Sequence, residues 1–376
     1  MVIRRLALVA LIALTASPAS AERAPGTFAD PEDDAFDASE WLLDRKGFLP
    51  VPILITEPAV GYGGGVGLLF FRDSLRDASS RTGRITPPDI YGVALAATEN
   101  GTQVIGGGGM FTFDEDRWRY RGAVGFADVN LTFYGIGGNP DDESTDYNLD
   151  GWISSQQILR RLGSTDQFLA ARWVYIDVDS EFETDSLDPM LEGGERASRS
   201  SGIGLSWEYD SRDTIFTASR GMKGALDTLF YEPAWGSENS FQTYRARLFG
   251  YVPVGKALVI GGRADTRTAR GDVPFYQFPF IELRGIPVAR YQDENTAVVE
   301  TEVRWNVTPR WSLIGFIGAG RAWGRLDDFG DAGTQDAQGV GFRYLIARRL
   351  SMYVGLDYAW GPEDQAFYIQ VGSAWH

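Results

Sequence analysis

From Val60 onward the sequence divides into strand-length segments, many alternating apolar and polar side chains with period two and separated by turns. That alternation marks a strand with one apolar face. In 203–210, Ile203, Leu205, Trp207 and Tyr209 oppose Gly204, Ser206, Glu208 and Asp210. In 350–358 the even positions are all apolar, and the odd ones are Ser351, Tyr353, Gly355 and Asp357. A soluble sandwich gives the same alternation, so the connections must discriminate. The reading places sixteen strands between 59 and 375: the first at 59–71, the fourth and fifth at 117–128 and 130–136, the last at 366–375. Connections after odd strands are mostly long and polar (72–88, 137–148, 179–198, 268–295, 324–336). Those after even strands are mostly short, as in Glu99-Asn100-Gly101 and Thr308-Pro309-Arg310. Long loops on one rim, short turns on the other and strands of spanning length make up an outer-membrane barrel. The expected fold is all-β: a transmembrane antiparallel β-barrel of sixteen strands with a long sixth external loop.

Composition agrees. The chain of 376 residues carries 45 glycines and 13% aromatics, which suits a large β-protein. It has no cysteine and one histidine, the terminal His376, which removes zinc ribbons, disulfide scaffolds and Ser-His chemistry. A net charge of −16 argues against nucleic acid as a partner. No Gly-x-Ser-x-Gly elbow, P-loop or dinucleotide fingerprint is present, and no catalytic, cofactor or metal site is expected. The acidic groups Asp141-Asp142-Glu143 and Asp327-Asp328 with Asp331 read as solvated loops.

At the N-terminus, Arg4 and Arg5 precede an apolar run, 6–14, and a small-residue site, Ala19-Ser20-Ala21. This is the layout of a secretory signal peptide over 1–21, with too few apolar residues to span a membrane. Residues 22–58 read as a periplasmic leader, disordered in its acidic part and extended around Pro50 and Pro52. Residues 59–376 then form the barrel, in the bacterial outer membrane. Period-two polar residues such as Arg119 and Arg121, Arg245 and Arg247, and Glu300, Glu302 and Arg304 are assigned to the lumen. An Arg facing lipid at the bilayer midplane costs about 2–4 kcal/mol. The last strand places Phe367, Ile369, Val371 and Trp375 on one face.

Three segments resemble the BamA/TamA family of outer-membrane assembly barrels, the bacterial surface antigen domain. Asp210, Arg212 and Asp213 followed by Arg220 and Gly221 are similar to the family's Asp-x-Arg-Asp turn and Arg-Gly strand opening, without its Pro. Leu283-Arg284-Gly285-Ile286 resembles the tip of its sixth external loop, with Ile286 in place of an aromatic. Glu300 to Trp305 and Gly315 to Gly320 resemble the two strands that follow, with Gly318 where the family commonly has Asp.

The resemblance implies that Arg284 enters the lumen, where Glu300 or Glu302 is the expected partner because an unpaired buried guanidinium is expensive. It also implies a weak seam between first and last strands, for which Gly63, Gly64, Gly65 and Gly372 are candidates. Glycine at such positions equally serves curvature and crowding. Phe367, Ile369, Val371 and Trp375 would form a C-terminal assembly signal. The chain reads as a barrel-only member without POTRA domains. Its implied role is assisting insertion or transport of polypeptides or lipids. Its partners would be outer-membrane lipid, lipopolysaccharide and unfolded outer-membrane proteins, with the barrel itself a monomer. The alternative is a passive pore or structural barrel.

Overall fold

A computed structural model describes residues 28–77, 89–137, 144–182 and 196–375. The signal-peptide segment and the Asp141-Asp142-Glu143 group lie outside these residues. Sixteen antiparallel strands form one sheet in sequence order, each hydrogen-bonded to its chain neighbours. They are β1 Gly47–Ile55, β2 Gly63–Phe71, β3 Ile90–Thr98, β4 Gln103–Phe113, β5 Trp118–Phe133 and β6 Thr145–Arg161. Next come β7 Gln167–Phe182, β8 Arg196–Asp210, β9 Gly221–Tyr231, β10 Phe241–Val254 and β11 Leu258–Gly271. The last are β12 Asn295–Asn306, β13 Trp311–Trp323, β14 Gln335–Ala347, β15 Met352–Trp360 and β16 Gln365–Val371. No described helix is long and apolar enough to cross a membrane.

The count of sixteen stands, but two of its members change. The expected strands 117–128 and 130–136 are one strand, β5, whose ladder with β6 runs unbroken from Trp118↔Arg160 to Phe133↔Thr145. The missing member is β1, inside the segment assigned to the leader. Pro50 and Pro52 hide it, because proline within a run argues against a paired strand. The correction also moves three connections between rims: those after β2 and β4 leave the loop rim for the turn rim, and the one after β3 does the reverse.

Pairing parity sorts every strand into inner and outer faces. Leu205, Val252 and Ile317 point outward with 60% or more of their surface exposed. Arg121, Arg247, Asp265, Glu300 and Arg343 point inward. A soluble sandwich would cover that apolar exterior; here it forms the surface that lipid requires.

The leader is ordered where it is described, a second correction. Its acidic residues dock on the turn rim: Arg310 holds Asp30, Asp33 and Asp37 at 2.5, 2.8 and 2.7 Å. Arg348 binds Asp30 and Asp33, and Arg349 binds Glu40. Helix α1, Ser39–Leu43, sets Leu42 and Leu43 against Leu75, Ala347 and Leu350. A composition that looks disordered in isolation is neutralised by the arginines of two turns.

Candidate functional site

The connection 272–294 between β11 and β12 folds into the barrel instead of standing in solvent. Ile281, Leu283 and Ile286 are at most 5% exposed and pack on Val298 and Ala337 of the wall. At the tip, Arg284 hydrogen-bonds Glu300 Oε1 through Nη2 at 2.6 Å and Nε at 2.9 Å, and Asp357 Oδ2 through Nη1 at 2.7 Å. Glu302 Oε2 lies 2.9 Å from Arg284 Nη2, a charge contact without hydrogen-bond alignment. The guanidinium also lies 3.5 Å from the centre of the Phe316 ring. Asp357 is fully buried and shared with Arg343, which grips it bidentately at 2.6 and 2.9 Å. Arg284, Glu300, Asp357 and Arg343 thus satisfy one another, with Glu302 held by charge alone, in a place where any one of them alone would be costly.

Asp357 and Arg343 were missed because they sit on β15 and β14, far along the chain from the loop. Gly318 shows only that the carboxylate commonly found at that position is absent. A Cβ there would lie 2.7 Å from Leu283 Cδ2, so the loop occupies the space and the third carboxylate comes from another strand.

Gly285 has φ +93°, and a Cβ on it would meet Gly361 N at 2.9 Å; one on Gly361 would meet the Gly285 carbonyl oxygen at 2.0 Å. Two glycines therefore bring the loop tip backbone-to-backbone onto the β15–β16 hairpin. Gly285 N donates to Tyr368 Oη at 2.9 Å, and Arg290 and Tyr291 bind Glu363 of the same hairpin at 2.6 and 2.8 Å. On the other side Val288 N donates to Glu57 Oε1 in the β1–β2 connection at 3.1 Å. The loop thus touches both flanks of the junction between β16 and β1.

That junction is the seam, and its location corrects the expectation. Among the described residues no ladder joins β16 to β1. Gly63, Gly64 and Gly65 lie instead in β2, fully paired with β1 and β3. A Cβ on Gly63 or Gly65 would fall 2.4 or 2.2 Å from a β3 carbonyl oxygen, so these glycines serve close strand approach. Seam weakness has a different source. The nine β1–β2 pairs run without interruption, which requires the odd residues of β1 to make the hydrogen-bonded pairs. Phe48, Pro50, Pro52 and Leu54 then face β16, and two of these four carry no N–H.

The C-terminal residues divide. Phe367, Ile369 and Val371 share one face, the outward one, each at least 43% exposed. Trp375 does not share their face: β16 ends at Val371, and Gly372 at φ +84° turns the chain inward. Trp375 is buried against Phe249, Tyr251 and Val259, and its Nε1 donates to Glu300 Oε2 at 2.8 Å. The carboxylate that holds the loop tip therefore also holds the chain end.

The turn motif stands at the turn rim. Arg212 binds Asp210 through Nε and Nη2 at 2.9 and 2.8 Å, and Asp213 accepts from Ser219 N at 3.0 Å. Gly221, φ +96°, leaves no room for a Cβ against the Ser211 carbonyl, while Arg220 is exposed. Arg304 Nη2 donates to Ser219 Oγ at 2.5 Å. The β8–β9 connection then reaches across the barrel mouth: Thr214 Oγ1 donates to Leu350 O at 3.1 Å, and Ser373 N to Phe216 O at 3.0 Å.

Residues 110–281 match the Omp85 superfamily domain. Among solved structures, BamA from Haemophilus ducreyi lacking POTRA domains 1–3 is similar at TM-score 0.59 and 11% identity, over 87% of this chain and 70% of that one. CdiB from Acinetobacter baumannii (TM-score 0.55, 12% identity, 87% of this chain) and CdiB from Escherichia coli (0.57, 13%, 86%) have the same barrel. This chain spans only 60% and 61% of the two CdiB chains. No curated protein matches. The chain thus matches the Omp85 superfamily domain over 110–281 and folds as a sixteen-stranded barrel similar to those of BamA and CdiB.

Proposed function

We propose that this protein is an exported outer-membrane barrel that assists insertion of polypeptides into that membrane by opening laterally between β1 and β16. The observation that carries the reading is the seam itself: among the described residues no ladder closes it, and the sixth loop is fastened to both of its flanks. An edge strand with unpaired backbone groups is a template for another strand. A substrate strand docking on β16 would replace protein–solvent contacts with a ladder, and the loop would have to release one flank first. The apolar exterior supports lipid and lipopolysaccharide as its surroundings, and on this reading it works as a single barrel. The two ends of the lumen support insertion over passive flow, because the loop crosses one and the β8–β9 connection with the C-terminal residues crosses the other.

The test is to place the purified protein in liposomes and supply an unfolded substrate barrel, while recording single-channel conductance in parallel. Insertion above the protein-free rate without a steady conductance is the expected result. A stable open channel with no insertion would make it a pore instead.

A further inference from the structure

On the side of the barrel away from the seam the lumen widens into a cavity of about 720 Å³, within the size range of small-molecule sites. The inner face of β8 makes the room. Ser198, Ser200, Gly202, Gly204 and Ser206 follow one another along it, none larger than serine. The loop roofs the space: Tyr276 Oη hydrogen-bonds Ser198 and Ser200 at 2.9 and 3.1 Å.

Charge distinguishes this cavity from the rest of the molecule. Five arginines and two carboxylates line it, in a chain whose net charge is −16. Four of these arginines are spoken for: Arg121 binds Glu208 at 2.9 Å, Arg247 binds Asp227 at 3.0 Å, and Arg245 and Arg267 share Asp265. The fifth, Arg172 on β7, is half-buried and has no ionic or hydrogen-bonding partner among the described residues. Two further donors at the cavity are buried with no acceptor, Gln277 Nε2 from the roof and Arg247 Nε from the wall. A guanidinium without a counter-charge and two N–H donors without acceptors around one space suit an anionic ligand. Val174, Leu229 and Phe278 give the same cavity an apolar side.

We propose that this cavity binds a phosphorylated ligand, its phosphoryl oxygens on Arg172, Arg247 and Gln277 and its non-ionic body on the apolar side. Arginine is the residue suited to planar, multidentate phosphate recognition. The same chemistry comes from a soluble phosphorylated solute or from a phosphorylated lipid headgroup. The position favours the solute, because the cavity lies across the lumen from the seam. Since the ligand would touch the loop that straps the seam, its binding is readable independently of any insertion activity.

Titration calorimetry on the full chain in neutral detergent tests this, with inorganic pyrophosphate and, separately, a phosphatidic-acid mixed micelle as probes and maltose as the uncharged control. Saturable pyrophosphate binding is expected, weakened at least tenfold by Arg172→Gln and partly restored by Arg172→Lys. Arg160→Gln, at an exposed arginine on the outer face over Trp118, should stay within threefold of the parent. Saturation by the micelle alone, with the same loss in Arg172→Gln, assigns the headgroup as the source. Folding of each variant is checked by heat-modified gel migration; if Arg172→Gln does not fold, Gln277→Leu takes its place with the same expectation. Binding of neither probe, equal affinity in parent and variant, or equal weakening by Arg160→Gln overturns the proposal.

Discussion

Removing the Arg284 side chain would leave Glu300 and Glu302 buried beside Asp357 with Arg343, Arg263 and Arg304 as the cations nearest them. Deleting one partner of a buried ion pair costs about 3–5 kcal/mol, and Arg284→Ala should lose stability of that order in urea unfolding. Arg284→Lys should recover less than half of it, because a lysine has neither the planar fork nor the stack on Phe316. A loss below about 1 kcal/mol in Arg284→Ala would mean the cluster is solvated. Gly285→Ala combines a left-handed φ with a backbone clash, and should cost more than about 1 kcal/mol and expose the loop to limited proteolysis. Gly64→Ala, whose Cβ meets only the Ile53 carbonyl at 3.6 Å, should leave both readouts unchanged. At this scale the sequence pointed to Arg284 through its resemblance to the family's loop tip, and to Glu300 and Glu302 because they lie sixteen and eighteen residues beyond it on the inward face of the next strand. Asp357, Tyr368 and Glu363 were illegible, because nothing local ties a loop to strands some eighty residues downstream.

Among the elements, β1 is the one the sequence concealed and the seam depends on. Its prolines suggested an unpaired leader, yet proline is tolerated on the outer edge of an edge strand, where a missing donor breaks no ladder. Replacing Pro50 and Pro52 with valine would supply the absent N–H groups toward β16. Amide exchange in β1 and β16 should then slow, and substrate insertion should fall; unchanged exchange would place the seam's weakness elsewhere. The leader makes a separate prediction. The Arg310 hydrogen bond lowers the Asp33 pKa to about 2, and that from Arg349 lowers Glu40. A carboxylate whose folded pKa is depressed contributes stability above its ordinary value, and loses it as pH falls through the folded one. Pepsin should therefore leave 28–44 intact near pH 4 and cut it as pH drops through about 2. Cleavage already complete at pH 4 would contradict the dock.

In the whole molecule, strand number, loop position and inner-face chemistry were legible because barrel geometry writes each into period and connection length. The count survived two errors that cancelled: merging 117–128 with 130–136 removed a strand, and β1 restored it. The sixth loop accordingly still follows the eleventh strand. What the sequence could not carry is closure. Trp375 turning inward, the β8–β9 connection crossing the mouth and the loop spanning the seam are all long-range contacts without periodicity. Together they describe a barrel with chain crossing both ends and a loop fastened to both flanks of the β16–β1 junction, which is unpaired among the described residues. The claim that this fastening gates insertion is tested most directly with cysteines at Glu57 and Val288, in a chain that has none of its own. Bridging them with a disulfide-containing bismaleimide ties the loop to the β1 flank while its other contacts hold β16. Insertion of a substrate barrel into liposomes should drop to background when the bridge is closed and return when a reductant cleaves it. Insertion that proceeds at the same rate with the bridge closed would contradict the account.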